Sequence, residues 1–392
     1  MMKSIKIRLE LNNKQVTLAN KHAGVARYAY NWGKSVCDLA IQNKEHRPTA
    51  IDLHKKFVKE EKTIKPWLYE VSKCSPQQAL RNLDEAYKRM FKVKSSKYPK
   101  FKKKGQHDSF YLEGNIKTTG DKIKVPIFGW LKCSEILPQC DIKNVVISKT
   151  ANQWFVAFKI PFEPLATIKI NNAVGVDLGI KTLATLSDGK IFDAIKPYKT
   201  NKRKLKLLQR KLSKKQKGSQ NRRKAREKVA RLHYKIANIR KDSTHKLTTY
   251  LAKNHSEICI EDLNVCGMTK NHTLASAILD GGFSEFRRQL EYKCQWYGSI
   301  LTIVDRFYPS SKTCSACGNI KSSLKLSDRE YVCENCRLVI DRDLNAAINL
   351  RNKSVSYTES ACGASTQLNS SEFKDAVNQE ANSDVQHCVS FV

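Results

Sequence analysis

Acidic residues are scarce in this 392-residue sequence. It contains 37 Asp and Glu against 71 Lys and Arg, which leaves a formal net charge of +34. A chain with that charge repels itself unless an anionic partner neutralises it, and nucleic acid is the commonest polyanion. A basic protein without such a partner, or one that binds anionic membranes, would not need so large a charge over so long a chain. The composition therefore predicts a nucleic-acid-binding protein.

Long apolar runs are also missing. No segment approaches the roughly 20 apolar residues that span a bilayer, and the opening MMKSIKIRLEL lacks the apolar core of a secretory signal. The 13 cysteines are odd in number and show no disulfide-like spacing outside one paired cluster, which fits a reducing compartment. We therefore expect a cytoplasmic protein that does not bind membranes.

Several motifs of catalysis and recognition are absent as well. The sequence has no GxSxG nucleophile elbow and no P-loop, and none of its nine histidines stands at metal-binding spacing from another. No helix-turn-helix module for reading bases is recognisable. These absences disfavour nucleophilic and P-loop chemistry and leave carboxylates and cysteines as the candidate site residues.

The first 170 residues combine strand and helix periodicities. Ile5, Ile7 and Leu9 alternate with polar residues, which predicts a half-buried strand, and the period of two returns at about residues 109–162. Between these stretches lie two helical stripes, the second with a predicted cap at Ser75. The stripes comprise Val25, Ala29, Trp32, Val36 and Leu39, then Leu80, Leu83, Tyr87 and Met90. This pattern predicts a small β-barrel interrupted by a helical lobe.

The most basic segment follows a hairpin predicted over residues 173–192. Between Lys196 and Lys241 there are 20 Lys or Arg and one acid, Glu227, so 46 residues carry +19. Charge runs usually form solvated faces of mixed sign, whereas this uniform sign favours a phosphate-binding surface on two amphipathic helices. Together with an earlier basic run, the residues expected to bind nucleic acid are Lys102, Lys103, Lys104, Lys202, Arg203, Lys204, Arg210, Lys211, Lys214, Lys215, Arg222, Arg223 and Lys224.

Four cysteines have the spacing of a zinc ribbon. Cys314 and Cys317 form one CxxC pair, and Cys333 and Cys336 form a second, 15 residues further on. Two such knuckles complete a closed tetrahedral Cys₄ shell, which leaves no open position for a substrate. A redox role for these cysteines is less favoured, because it would require two redox-active pairs at the spacing of a zinc ribbon. We therefore predict a structural zinc ion.

Three separated acids are the candidate catalytic residues. Asp177 lies on the apolar strand VGVDLG, Glu261 ends the apolar strand ICIE, and Asp343 lies at a predicted helix start in DRDLNAA. Singly, such acids more often occupy turns or cap helices, and capping is the role expected of Asp341. Asp262 should face away from Glu261, because neighbouring residues on a strand point to opposite sides. Together they match the carboxylates that hold two Mg²⁺ ions in RNase H-like phosphodiester hydrolysis, with Asp177 bridging both ions.

The motifs carrying these residues resemble one family. GVDLGIKTLAT, IEDLNV, the YPSSKTCSACG…CENC ribbon and DRDLNAAINL, in this order, resemble TnpB, the nuclease of bacterial insertion sequences, which is similar to type V CRISPR effectors. The resemblance covers about residues 1–355, and Phe283 stands where members of the family often have tryptophan.

The resemblance implies an RNA-guided, Mg-dependent DNA endonuclease associated with a transposable element. Its partners would be a guide RNA made from the transposon end and double-stranded target DNA, and its catalytic acids would be Asp177, Glu261 and Asp343. If base pairing with the guide RNA selects the target sequence, the protein needs only to bind the backbone of the RNA–DNA heteroduplex. The expected mixed α+β and α/β architecture comprises a wedge-like β-barrel (1–12 and 97–170), a helical recognition insert (13–96), a RuvC-like, RNase H-like domain (171–306 and 338–355), a zinc ribbon (307–337) and a flexible tail (356–392).

Two other functions compete with this hypothesis. A DDE transposase shares the RNase H-like core, but its acids usually run Asp, Asp, Glu, whereas here the order is Asp, Glu, Asp with the ribbon between the last two. The second alternative is a non-catalytic regulator that binds RNA or DNA and uses the same carboxylates structurally.

Overall fold

The chain folds into two compact units of mixed α and β structure. The computed structural model describes residues 1–93, 95–165, 167–325 and 327–361, and the units comprise residues 1–162 and, up to the last described residue, 163–361. In this described part of the chain no helix is both long and apolar enough to cross a membrane. The last helix extends to Ala361, past the expected start of the tail at 356, and the remainder of that predicted tail, 362–392, lies outside the described residues.

An antiparallel sheet forms the base of the first unit. Its strands are β1 Met2–Glu10, β2 Ser109–Glu113, β3 Lys117–Thr119, β4 Lys122–Val125, β5 Gly129–Cys133, β6 Asn144–Thr150 and β7 Gln153–Pro161. The hydrogen-bonded order is β2-β6-β7-β1-β5-β4-β3. Ile7 and Leu9 on β1 are buried while their neighbours are exposed, which confirms the predicted half-buried strand. Closure of this sheet into a barrel stays a prediction.

Helices cover this sheet. Helix α1 spans Asn13–Gln42 and packs on α4, which spans Cys74–Lys92. The two helices approach closely at Gly33, where a Cβ atom would lie 2.6 Å from Leu80 Cδ2 and 3.1 Å from Leu83 Cδ2. The connection comprises α2 Ala50–Lys56, a π-helical turn Phe57–Glu61, α3 Lys62–Ile64 and a 3₁₀ turn Pro66–Glu70.

Two details of the predicted helices are wrong. Leu39 is 58% exposed, because the face of α1 that packs inward includes Gly33 and Cys37, and Leu39 lies about 120° around the helix from Gly33 at 100° per residue. Ser75 does not cap α4, which already begins at Cys74; its Oγ instead donates to the carbonyl oxygen of Tyr111 on β2, at 3.4 Å. Sheet packing has supplied an acceptor that the local pattern could not reveal.

The second unit is built on a five-stranded mixed sheet. Its strands are β8 Asn171–Leu178, β9 Thr182–Leu186, β10 Ile191–Asp193, β11 His255–Glu261 and β12 Ile300–Val304, in the order β10-β9-β8-β11-β12. The first three are antiparallel, whereas β11 runs parallel to both β8 and β12. The predicted hairpin over 173–192 is therefore three strands, and its expected turn, with Gly189 at φ 85°, joins β9 to β10.

Helices lie on both faces of this sheet. The helices of this unit are α5 Pro197–Ser213, α6 Gln220–Asn254, α7 Val265–Met268, α8 Ala275–Gly281, α9 Phe283–Tyr297 and α10 Arg342–Ala361, of which α6, α9 and α10 contact the sheet. Val174 and Val176 of β8 belong to the apolar core formed with α6 and α9. Because side chains alternate along a strand, the residues between them face the opposite side, where α10 packs.

The basic segment forms the two predicted amphipathic helices, which pack as a hairpin. Helices α5 and α6 pack through a small apolar cluster of their own, which comprises Leu205, Leu212, Val229, Leu232 and Ile236. The zinc-ribbon segment adds an antiparallel pair, β13 Glu330–Val332 and β14 Val339–Asp341, so the ribbon continues past the expected boundary at 337.

Candidate functional site

Strand register brings Asp177 and Glu261 to the same edge of the sheet. Parallel pairing of β8 with β11 sets Cys259 opposite Gly175 and Ile260 opposite Val176, so the next residues along the two strands are Asp177 and Glu261. Residues opposite each other in a pleated sheet point to the same face. The two acids, far apart in sequence, therefore lie side by side on the α10 face.

A glycine allows the third acid to join them. Helix α10 approaches β8 so closely that a Cβ atom on Gly175 would lie 1.8 Å from the carbonyl oxygen of Ala347 and 2.7 Å from the amide nitrogen of Arg351. Asp177 is two residues beyond Gly175 and so points to the same face, while Asp343 lies one helical turn before Ala347. Asp177 and Asp343 are thereby directed towards each other.

The electrostatics confirm that the three carboxyl groups are neighbours. Burial, followed by the negative charges of Asp343 and Glu261, raises the pKa of Asp177 to about 7, and Arg342 opposes that rise. Burial also raises the pKa of Glu261, with the charge of Asp262 adding to it. Among the described residues no hydrogen bond or ion pair reaches the carboxylate of Asp177 or Glu261. Buried acids without partners are stabilised by a bound cation.

The flanking acids have structural partners, as expected. The Oδ1 atom of Asp341 accepts the backbone N–H groups of Asp343 and Leu344, both at 3.0 Å, so it caps α10. Asp262 faces away from the site and binds Arg287 at 2.6 Å and also Arg306, and these guanidinium groups lower its pKa, Arg306 more than Arg287. Both predictions about these acids are confirmed.

The four predicted cysteines converge in the ribbon. Their Sγ atoms lie within 4.8 Å of one another, with 3.5 Å between Cys314 and Cys336 and 3.6 Å between Cys317 and Cys333. A tetrahedral shell with Zn–S bonds of 2.3 Å requires sulfurs about 3.8 Å apart. The cluster therefore fits a zinc ion.

Two asparagines that sequence reasoning missed join the ribbon to α10. Asn345 donates from Nδ2 to the carbonyl oxygen of Thr313 at 2.7 Å and accepts the N–H of Ser315 at 3.0 Å. Asn349 donates to the carbonyl oxygens of Ser310 and Thr313, at 2.8 and 2.6 Å. Both asparagines are buried. Their spacing of four on an otherwise apolar helix face was the available signal, because buried amides need partners.

Most of the expected nucleic-acid-binding residues are on the surface. Lys102 is an exception: its ammonium lies 4.2 Å from the centre of the Tyr30 ring, and burial lowers its pKa. Arg222 is another, because its guanidinium donates to the carbonyl oxygens of Leu212 and Lys215 and closes the α5–α6 turn. The exposed members are Lys103, Lys104, Lys202, Arg203, Lys204, Arg210, Lys211, Lys214, Lys215, Arg223 and Lys224.

Three family models match parts of the chain. The model described as "Probable transposase" (OrfB of IS605) matches residues 157–272, and the "Cas12f1-like, TNB domain" model matches residues 283–350. A third, described as "Helix-turn-helix domain" and also of the OrfB IS605 group, matches residues 1–46. In the structure this last segment contains strand β1 and the single long helix α1.

Curated relatives match almost the whole chain. A "Putative RNA-guided DNA endonuclease" of Streptomyces pristinaespiralis is 36% identical over 92% of this chain and 91% of that relative. InsQ of Escherichia coli K12, which bears the same description, is 32% identical over 93% and 95%. The solved structure of the mini-RNA-guided endonuclease CRISPR-Cas phi3 is 9% identical over 91% and 92%, with a TM-score of 0.45. The chain belongs to the TnpB-like family of RNA-guided DNA endonucleases.

Proposed function

We propose that this protein is an RNA-guided DNA endonuclease whose hydrolytic centre comprises Asp177, Glu261 and Asp343. The observation that carries the proposal is the convergence of these acids from β8, β11 and α10 at one edge of the sheet, where burial and then the neighbouring negative charges raise the pKa of Asp177. A group of converging carboxylates at a sheet edge is the arrangement that phosphodiester hydrolysis with divalent metal ions requires.

The topology of the second unit supports a RuvC-type, RNase H-like domain. Three antiparallel strands, β10, β9 and β8, are extended by two strands parallel to β8, and the acids lie at the carboxyl ends of the two central strands. Ligands of open α/β sheets bind outside the carboxyl ends of the strands. In the first unit, the seven-stranded sheet and its helices correspond in this proposal to a wedge-like barrel with a helical recognition insert.

The acids fit a pair of magnesium ions better than a single ion. Among the described residues, no three acids offer one carboxylate oxygen each that all lie within 4.8 Å of one another. Two ions about 4 Å apart, each with ligands at about 2.1 Å, allow oxygens up to about 8 Å apart. Bound there, magnesium would supply activation of a water molecule and neutralisation of phosphate charge.

The chain's own residues hold and shield this charge. In this proposal Asp177, on the central strand, would hold the magnesium ions together with Glu261 and Asp343. Arg342 pairs with Asp343 at 3.4 Å and reduces the repulsion between the acids. Because the pKa of Asp177 is raised to about 7, about half of these carboxyl groups would carry a proton at pH 7 in the absence of a cation, and a bound cation would favour the ionised form.

Zinc and nucleic acid have separate places in this scheme. The four ribbon cysteines form a closed shell, so zinc has a structural role. The exposed cations of the α5–α6 hairpin neutralise phosphates of the guide RNA and of double-stranded target DNA. The guide RNA comes, in this proposal, from the transposon end.

The test begins with the protein purified from cells that also express its genomic neighbourhood. Sequencing of the bound RNA is expected to give discrete species that end near a transposon end, and DNA matching their guide portion is expected to be cut when magnesium is present. Asp177→Asn should abolish cutting, whereas Asp193→Asn, an exposed acid at the end of β10, should retain it. Joined strand-transfer products would favour a DDE transposase, and cutting by Asp177→Asn equal to that of the unmodified protein would overturn the assignment.

A further inference from the structure

An exposed aromatic ring stands beside the carboxylate edge of the second unit. Phe307 is 86% exposed, more than any other aromatic residue in the described part of the chain. Solvent-exposed phenylalanine forgoes the stabilisation that burial of its ring would provide. Neither the apolar core nor the carboxylate centre explains its position.

The turn that carries Phe307 is well ordered. Its backbone N–H donates to Oδ1 of Asp305 at 2.8 Å, and the N–H of Tyr308 donates to the carbonyl oxygen of Asp305 at 3.0 Å. The Tyr308 ring packs against the apolar cluster of Cys259, Val304 and Leu350 beside α10. Tyr308 is therefore anchored inward, whereas Phe307, the residue before it, holds its ring in solvent.

Strand register fixes how near this ring is to the proposed hydrolytic centre. Val304, at the end of β12, pairs with Glu261, and the chain then continues three residues to Phe307. Neighbouring strands lie about 4.8 Å apart and each residue spans at most about 3.5 Å, so the Cα atoms of Glu261 and Phe307 are within roughly 15 Å of each other. Arg306 binds Asp262 at the end of β11 and holds the turn at that edge.

The chemistry of the surroundings points to nucleic acid as the occupant. The turn has cations on it: Arg306 is partly exposed, and the ammonium of Lys353 lies 6.0 Å from the centre of the Tyr308 ring. A free aromatic face beside cations suits a strand whose phosphates are attracted while its unpaired bases stack. Stacking tolerates any sequence, because every base has a π-face.

We propose that Phe307 stacks on an unpaired base of the DNA strand that enters the carboxylate centre and thereby positions that strand for cutting. The proposal rests on the proposed nuclease function. Phe307 touches no reacting atom, so it is a positioning residue. At about 3.4 Å per stacked nucleotide, the base in question lies within about four or five nucleotides of the cut phosphate.

The first experiment measures stacking without cutting. The full-length protein with its bound RNA is titrated, with no added magnesium, into single-stranded DNA that carries 2-aminopurine at successive positions. We expect quenching at one position, loss of that quenching in Phe307→Ala and Phe307→Leu, and its retention in Phe307→Trp. Binding by the alanine variant should weaken about 5- to 150-fold. Leu279→Ala, which removes an exposed apolar side chain on α8 of the same unit, should bind normally. Equal quenching by Phe307→Ala would refute the proposal.

The second experiment separates positioning from a general loss of structure. An abasic site is scanned through a cleavable substrate within about five nucleotides of the cut. In the unmodified protein one abasic position should lower kcat/KM as much as Phe307→Ala does, and in the variant that abasic site should add nothing further. If the two defects multiply, they are independent and the proposal fails. If no DNA is cut at all but quenching still depends on Phe307, the nuclease assignment fails and the stacking assignment stands.

Discussion

Gly175→Ala is the sharpest test of how the second unit assembles its acids. The added methyl group would lie 1.8 Å from the carbonyl oxygen of Ala347 and 2.9 Å from its carbonyl carbon. Both are backbone atoms of α10, so no side-chain rotation can relieve the clash. To reach an ordinary contact of 3.4 Å, the helix and strand must separate by about 1.6 Å.

The magnitude of the effect follows from that displacement. Overpacking of this kind destabilises a protein by about 1–3 kcal/mol, which for a domain of about 200 residues lowers Tm by about 2–12 °C. Asp343 is carried on α10, one turn before the contact, so it moves away from Asp177 with the helix. A misplacement of about 1 Å costs about 100-fold in rate, and we expect cutting to fall at least that far.

The assay compares Gly175→Ala with a glycine replacement in open space. A Cβ atom on Gly24, in α1, would meet only Nη2 of Arg27, at 4.0 Å, so Gly24→Ala should be stable and active. Thermal melting and the initial rate of DNA cutting are measured for both variants. If Gly175→Ala melts and cuts like the unmodified protein, α10 does not seat against β8 as described, and the derivation of the carboxylate centre is wrong.

Three further predictions concern the ribbon, its link to α10, and a buried lysine. Cys333→Ser should abolish stoichiometric zinc, measured by mass spectrometry, and with it DNA cutting, whereas Cys266→Ser, at an exposed cysteine, should change neither. Asn349→Leu leaves buried carbonyl groups without a donor and should lower the free energy of unfolding in urea by about 1–3 kcal/mol; an unchanged value would show that the contact is dispensable. Burial lowers the pKa of Lys293 from 10.5 to about 8, so between those values the unfolded chain binds the extra proton and stability rises with pH. Lys293→Met should remove about 3 kcal/mol of this rise in the free energy of unfolding with pH. The same pH dependence of stability in both proteins would contradict this prediction.

Features that depend on neighbouring residues could be predicted from the sequence. The CxxC spacing brings cysteines together through short turns, and the structure confirms this with four converging thiols. Alternating residues likewise predicted strand β1, and apolar stripes at three- and four-residue spacing predicted helices α5 and α6, because both patterns are local properties of the chain. The cap at Asp341 was also predictable, since a capping side chain bonds its own next turn.

Other features depended on contacts between distant segments. The sequence by itself determined which acids are candidates, but the parallel register of β8 with β11 decided that Asp177 faces the same side as Glu261. The approach of α10 to Gly175 decided where Asp343 lies, and the packing of Lys102 over Tyr30 decided that this lysine is not a free surface cation. The physical reason is range: side-chain periodicity is set by bonds a few residues long, whereas register and helix docking are set by which surfaces fit when the whole chain is compact.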